Sequence, residues 1–185
     1  MSSIVSEKPK LSVRVQSLAA LTAIAGAVAL PQLFHAMGAV SGLGTSLGEA
    51  FLPMHLPIIL AGLLAGPYVG AIAGFLSPLI SFAVSGMPSS AMLPFMMIEL
   101  LIYGLASGLL RNVKLPTALK VLATQIDGRA VRAGAILLSV YAFGNNAIAA
   151  AVIWKSIPVG IFGIVLQLVL IPLIIYRVEN LKRHE

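Results

Sequence analysis

Residues 15–34 pass without a single charged side chain, and comparable runs return along the chain as far as residue 176. A stretch of that length, wound as an α-helix rising about 1.5 Å per residue, crosses a hydrocarbon core about 30 Å thick. The runs are continuous in Ala, Leu, Ile and Gly and do not alternate polar with apolar residues, which excludes the strands of a transmembrane barrel. Composition agrees: 59% of the 185 residues are apolar and 10% are charged, against about 25% charged in a soluble domain. The same hydrophobicity excludes a disordered polymer. With no cysteine, a disulfide-stapled secreted fold is excluded too. The expectation is an all-α membrane protein, one integral domain built as a bundle of six transmembrane helices.

Punctuation by Gly, Pro and Ser sets the boundaries. Residues 1–10 are polar, and helix one follows at about 15–34. A basic start before an apolar run also describes a signal peptide, but such runs are usually about 7 to 15 residues and are not followed by further spans. Residues 38–50 are rich in glycine and other small residues and read as a long loop. Pro53 and Pro57 bracket the start of helix two at about 54–66, where proline costs least. Helix three is expected at 68–84 and helix four at 93–110. The most polar stretch, 111–132, reads as an inter-helix loop with a short surface helix near 117–125. Helices five and six are then expected at 131–153 and 157–176.

An even number of crossings puts both termini on one side. On these boundaries eleven of the twelve basic residues share that side: Lys8, Lys10 and Arg14; Arg111, Lys114, Lys120, Arg129 and Arg132; Arg177, Lys182 and Arg183. Only Lys155 lies opposite. Lys and Arg are retained in the cytoplasm, so both termini are expected to be cytoplasmic. The net charge of +6 could suggest a nucleic-acid partner. However, the basic groups flank spans and lack aromatic interleaving or a binding motif, so no nucleic acid is expected.

Against that map a carboxylate inside a span stands out. Glu99 sits among Leu, Ile and Met in helix four, where a charge costs several kcal/mol unless it is paired, protonated or facing a wet cavity. It lies roughly 10 to 13 Å below the outer surface, with Tyr103 one turn deeper on the same face. Asn145 and Asn146 on helix five and Gln167 on helix six fall at a similar depth, and together these positions suggest a small-molecule pocket. At least one of the adjacent asparagines must face away from it. Met54, His55 and Met87 stand at the outer mouth, and Glu49 reads as a solvated loop charge. No His-Glu-x-x-His, Gly-x-Ser-x-Gly or phosphate-cradling loop is present. Neither an enzyme, a metal site nor a cofactor is expected. Ala19, Ala23 and Ala27 form a smooth stripe on helix one, suited to close helix approach. Gly62, Gly66, Gly70 and Gly74 are expected to pack the hairpin of helices two and three internally, with Gly104 and Gly108 doing likewise on helix four.

The segments Leu52-Pro53-Met54-His55-Leu56-Pro57, Ala61-Gly62-Leu63-Leu64-Ala65-Gly66-Pro67, Ser85-Gly86-Met87-Pro88 and Glu99-Leu100-Leu101-Ile102-Tyr103-Gly104 resemble the substrate-binding S components of energy-coupling-factor (ECF) vitamin transporters. The resemblance covers essentially the whole chain and is not substrate-specific. It implies high-affinity binding of a vitamin or related micronutrient from outside, occlusion beneath external loops, and residence in a prokaryotic cell membrane. It also implies association with a transmembrane coupling subunit and two cytoplasmic ATPases, which use the ATP. The stripe at Ala19, Ala23 and Ala27 matches the small-residue motif that faces the coupling subunit in that family. Two other readings stay open: a stand-alone proton-coupled carrier or channel with Glu99 as its proton site, and a structural membrane protein with no ligand.

Overall fold

A computed structural model of the chain describes residues 11–181. Residues 1–10 and 182–185, with Lys8, Lys10, Lys182 and Arg183 of the charge map, lie outside the described residues. Among those described, every regular element is a helix: α1 Val13–Ser41, α2 Ser46–Phe51, α3 His55–Ala65, α4 Pro67–Ser85, α5 Leu93–Leu109, α6 Thr117–Leu137, α7 Ala151–Val159 and α8 Ile161–Leu181. Five stretches are long and apolar enough to cross a membrane: Val13–Ser41, Ser46–Ala65 (α2 with α3), Pro67–Ser85, Leu93–Asn112 and Ile161–Leu181. The protein is a multi-pass membrane helical bundle.

Helix α6 departs from expectation. Residues 111–132, expected as a loop, are helical from Thr117 onward, and α6 runs on to Leu137. Its 21 residues make it about 32 Å long, matching a crossing in length though not in apolarity. Lys120, Thr124, Gly128 and Ile136, spaced by four residues or a multiple of four, form its buried face with Val121 and Gln125 beside them, and that face packs against α5 and α8. The expected fifth helix at 131–153 is corrected accordingly. The chain loosens into a π-turn at Leu138–Ala142, breaks at Gly144 with φ of 64°, and resumes only as the short α7. The first external segment differs as well. Helix α1 continues to Ser41, a turn follows at Gly42 and Gly44, both at positive φ, and α2 takes up the last part of the expected loop.

The core gathers Ala27, Ile58, Ile59, Ala73, Leu100, Tyr103, Val121 and Ile171 from α1, α3, α4, α5, α6 and α8. Its tightest seam is α4 against α5. A Cβ on Gly70 would overlap the Gly104 carbonyl, and one on Gly104 would overlap that of Gly70. Gly74 meets the Leu100 backbone, while Gly62 meets Gly104 and Ser107. The glycines therefore seat the α3–α4 hairpin on α5 rather than closing the hairpin on itself, using the close backbone approach that small residues allow within a bilayer. Ala23 and Ala27 also belong to the core, and Ala27 is fully buried. Their stripe is corrected from a partner face to an internal one, because α1 spends that side on α3 and α4. The outward side of α1 carries Ala25 and Ala29 instead.

Candidate ligand-binding site

The ends of seven helices enclose a cavity of about 530 Å³. Pro31 and His35 of α1 form one side, and the α2 segment from Thr45 to Met54 forms a second. The loop residues Met87, Pro88 and Ser89 supply a third, with Val152, Lys155, Ser156 and Val159 of α7 opposite. Met54, Met87, Met92 and Met96 give the walls a flexible thioether surface that adapts to irregular shapes.

Glu99 and Arg132 lie deepest. Arg132 Nη1 donates to Glu99 Oε2 at 3.0 Å, and Tyr103 OH donates to Oε1 at 3.0 Å. Glu99 is only 1% exposed. A buried carboxylate held by a guanidinium and a phenol has its charge paired and both oxygens occupied, which is what makes burial tolerable. His55 Nε2 stands 4.0 Å from Oε1, beyond hydrogen-bond range, and its ring packs at 5.1 Å from that of Tyr103. The second Arg132 amino group, Nη2, meets only the sulfur of Met92, at 3.8 Å.

Local sequence explains the meeting. Glu99 and Tyr103 are four residues apart on α5, and Gly128 and Arg132 are four apart on α6, so each pair shares a helix face. Gly128 lies directly against the Tyr103 ring, where a Cβ would overlap it. The helices approach there, and one turn further along Arg132 arrives beside Glu99.

Of the residues singled out from sequence, Met54, His55, Met87 and Glu99 border the cavity. Tyr103 lies beneath it, fully buried. Gln167 is buried away from it: its Oε1 accepts from Gln125 Nε2 at 3.1 Å, and its Nε2 donates to the Leu52 carbonyl at 3.2 Å. Gln167 thus ties the rim segment to α8 and α6. Asn145 and Asn146 fall in the break after α6 and do not border the cavity. Asn145 donates to Ser139 Oγ at 2.8 Å and accepts from the Ala147 amide at 2.9 Å, a local turn, and Asn146 is exposed. Both are corrected as pocket residues, because α6 ends before it reaches them. Sequence reasoning missed Arg132, Met92, Met96, His35 and the rim charges Glu49 and Lys155, all of which border the cavity. Among the described residues no cluster of His, Asp and Glu is arranged to hold a metal.

A family model described as ECF transporter, substrate-specific component, matches residues 16–175. No match was found among curated proteins or solved structures. Since the family model spans most of the chain, the protein belongs to the substrate-specific components of ECF transporters.

Proposed function

We propose that this substrate-specific component captures a small vitamin-like micronutrient in the cavity above Glu99 and Arg132 and delivers it inward together with a transmembrane coupling subunit and two cytoplasmic ATPases. As a member of its family the chain is a transporter subunit and not an enzyme, with a small-molecule substrate and ECF module components as partners. The observation that carries the reading is the cavity itself: about 530 Å³, within the range that holds small ligands, over a buried polar floor.

Charge supports the orientation. Arg14, Arg111, Lys114, Lys120 and Arg177 stand near the helix ends remote from the cavity. Retention of basic residues inside then faces the cavity outward and puts both termini in the cytoplasm, with α6 as the sixth crossing, in a prokaryotic plasma membrane. The coupling subunit docks on the outward side of α1 at Ala25 and Ala29. The proton-carrier reading has less support, because protonating Glu99 would strip Arg132 of its carboxylate partner.

The test is native mass spectrometry of detergent-purified protein, with uptake measured in cells that have or lack the coupling subunit. A retained small molecule whose uptake needs that subunit is the expected result. An empty protein with no coupled uptake of any nutrient tried would sink the proposal.

A further inference from the structure

The floor of the cavity is unbalanced. Both Glu99 oxygens are engaged, whereas Arg132 Nη2 has only a thioether sulfur and Arg132 Nε has no partner. One turn earlier on α6, Arg129 also has a buried Nε without a partner. Arg129 and Arg132 together line a second, smaller cleft of about 240 Å³ beside Trp154, which shares Arg132 and Ser156 with the first cavity. Asp127, the nearest acid on α6, is exposed. Among the described residues Glu99 pairs with Arg132 and no acid pairs with Arg129, so positive charge exceeds negative here; the buried side-chain atoms without a partner around the floor are the two guanidinium Nε donors and His55 Nδ1. In a low-dielectric interior such a surplus favours a ligand that brings an acceptor and a negative charge. Guanidinium matches a carboxylate in both geometry and sign.

The walls constrain the rest of the ligand. Among the described lining residues the only aromatic rings are the imidazoles of His35 and His55, and the remaining apolar surface is Met, Pro, Leu and Val. The rim carries both Glu49 and Lys155, charges of opposite sign.

Resting on the substrate-binding reading above, we infer that the substrate is an organic acid with an aliphatic body, whose carboxylate docks on Arg132 at the cavity floor. Arg132 touches the ligand. Glu99 is a positioning residue that, with Tyr103, holds the guanidinium in place.

The experiment uses the full-length protein in detergent. Any co-purified molecule is released by denaturation and its charge and absorbance determined. Thermal shifts are then measured with hexanoate, heptanoate and octanoate, each beside its primary amide and its amine. The expected result is a released anion without aromatic absorbance, or stabilisation by the acids alone. Arg132→Lys keeps the preference for acids with weaker binding. Glu99→Gln keeps an acceptor for Arg132 but removes the negative charge that competes with the ligand's own, so the preference for the acid over its amide and amine is expected to persist. The double variant Glu99→Gln/Arg132→Gln leaves no unpaired charge at this position, so it is expected to fold, yet it loses the acid preference by roughly ten- to hundredfold, the worth of a charge-assisted pair. A released cation, a neutral molecule or an aromatic compound would overturn this inference while leaving the transporter reading intact. Amines or amides that match the acids would do the same, as would a double variant that still prefers acids. An empty protein with no shift from any probe and no coupled uptake would overturn both.

Discussion

Gly128 of α6 lies against the Tyr103 ring of α5, and one turn along the same two helices Arg132 meets Glu99 at 3.0 Å. The two contacts form one device, because the missing side chain at 128 sets the helix separation that lets the guanidinium reach the carboxylate. Gly128→Ala is therefore expected to push α6 outward. Overpacking of this kind costs about 1–3 kcal/mol, and the accompanying shift stretches the ion pair. The measurement is thermal unfolding together with ligand retention. Loss of retention with a lowered melting temperature is expected, and a Gly128→Ala protein that retains ligand as wild type does would contradict the account.

That device was only half legible in the sequence. Glu99 could be found alone, because an acid within an apolar run has few explanations. Arg132 could not, because in a window of neighbours that includes Lys120, Asp127 and Arg129 it looks like part of a solvated loop. Only its pairing with a residue 33 positions away makes its burial tolerable, and such pairing does not show in local periodicity. The same limit explains the asparagines. Their depth was reckoned along a helix that in fact stops at Leu137, so positions 145 and 146 land in a turn. Helices α3, α4 and α5 were readable because Pro67, Gly86 and Pro94 mark their ends. The glycine seam was visible as a series, but its partner was not, since a smooth helix face does not say what it touches.

Gln167 and Asn146 separate a rim-tethering role from a ligand contact. Gln167→Leu removes the acceptor for Gln125 and the donor to the Leu52 carbonyl, leaving buried polar groups unsatisfied. Such a loss costs about 1–3 kcal/mol and loosens the rim beside Met54. The expected outcome is a lower melting temperature and faster ligand dissociation, read by stopped-flow or competition. Asn146→Ala, at an exposed position, is expected to change neither. An Asn146 variant that binds poorly would return that residue to the pocket.

Ala27 and Ala29 stand on opposite sides of α1. Ala27 is fully buried against the core, so Ala27→Leu is expected to overpack it and lower stability of the isolated chain. Ala29 is exposed, and Ala29→Trp is expected to leave folding and ligand binding intact while reducing co-purification with the coupling subunit. The check is affinity capture of the assembled transporter beside ligand binding by the chain alone. If Ala29→Trp assembles normally, the docking face lies elsewhere.

Orientation can be tested cleanly because the chain contains no cysteine. Ser89 lines the cavity mouth, whereas Lys114 sits in the turn between α5 and α6, at the opposite end of both helices. Basic residues cluster at that second end and are retained in the cytoplasm. Ser89→Cys is therefore expected to react with a membrane-impermeant maleimide added to intact cells, and Lys114→Cys only after the membrane is opened. Ser89 lines the cavity proposed to hold the substrate, so saturating ligand is expected to slow labelling at position 89 and leave position 114 unaffected. Labelling of Lys114→Cys from outside would invert the topology, and with it the direction in which the Arg132 floor takes up its ligand.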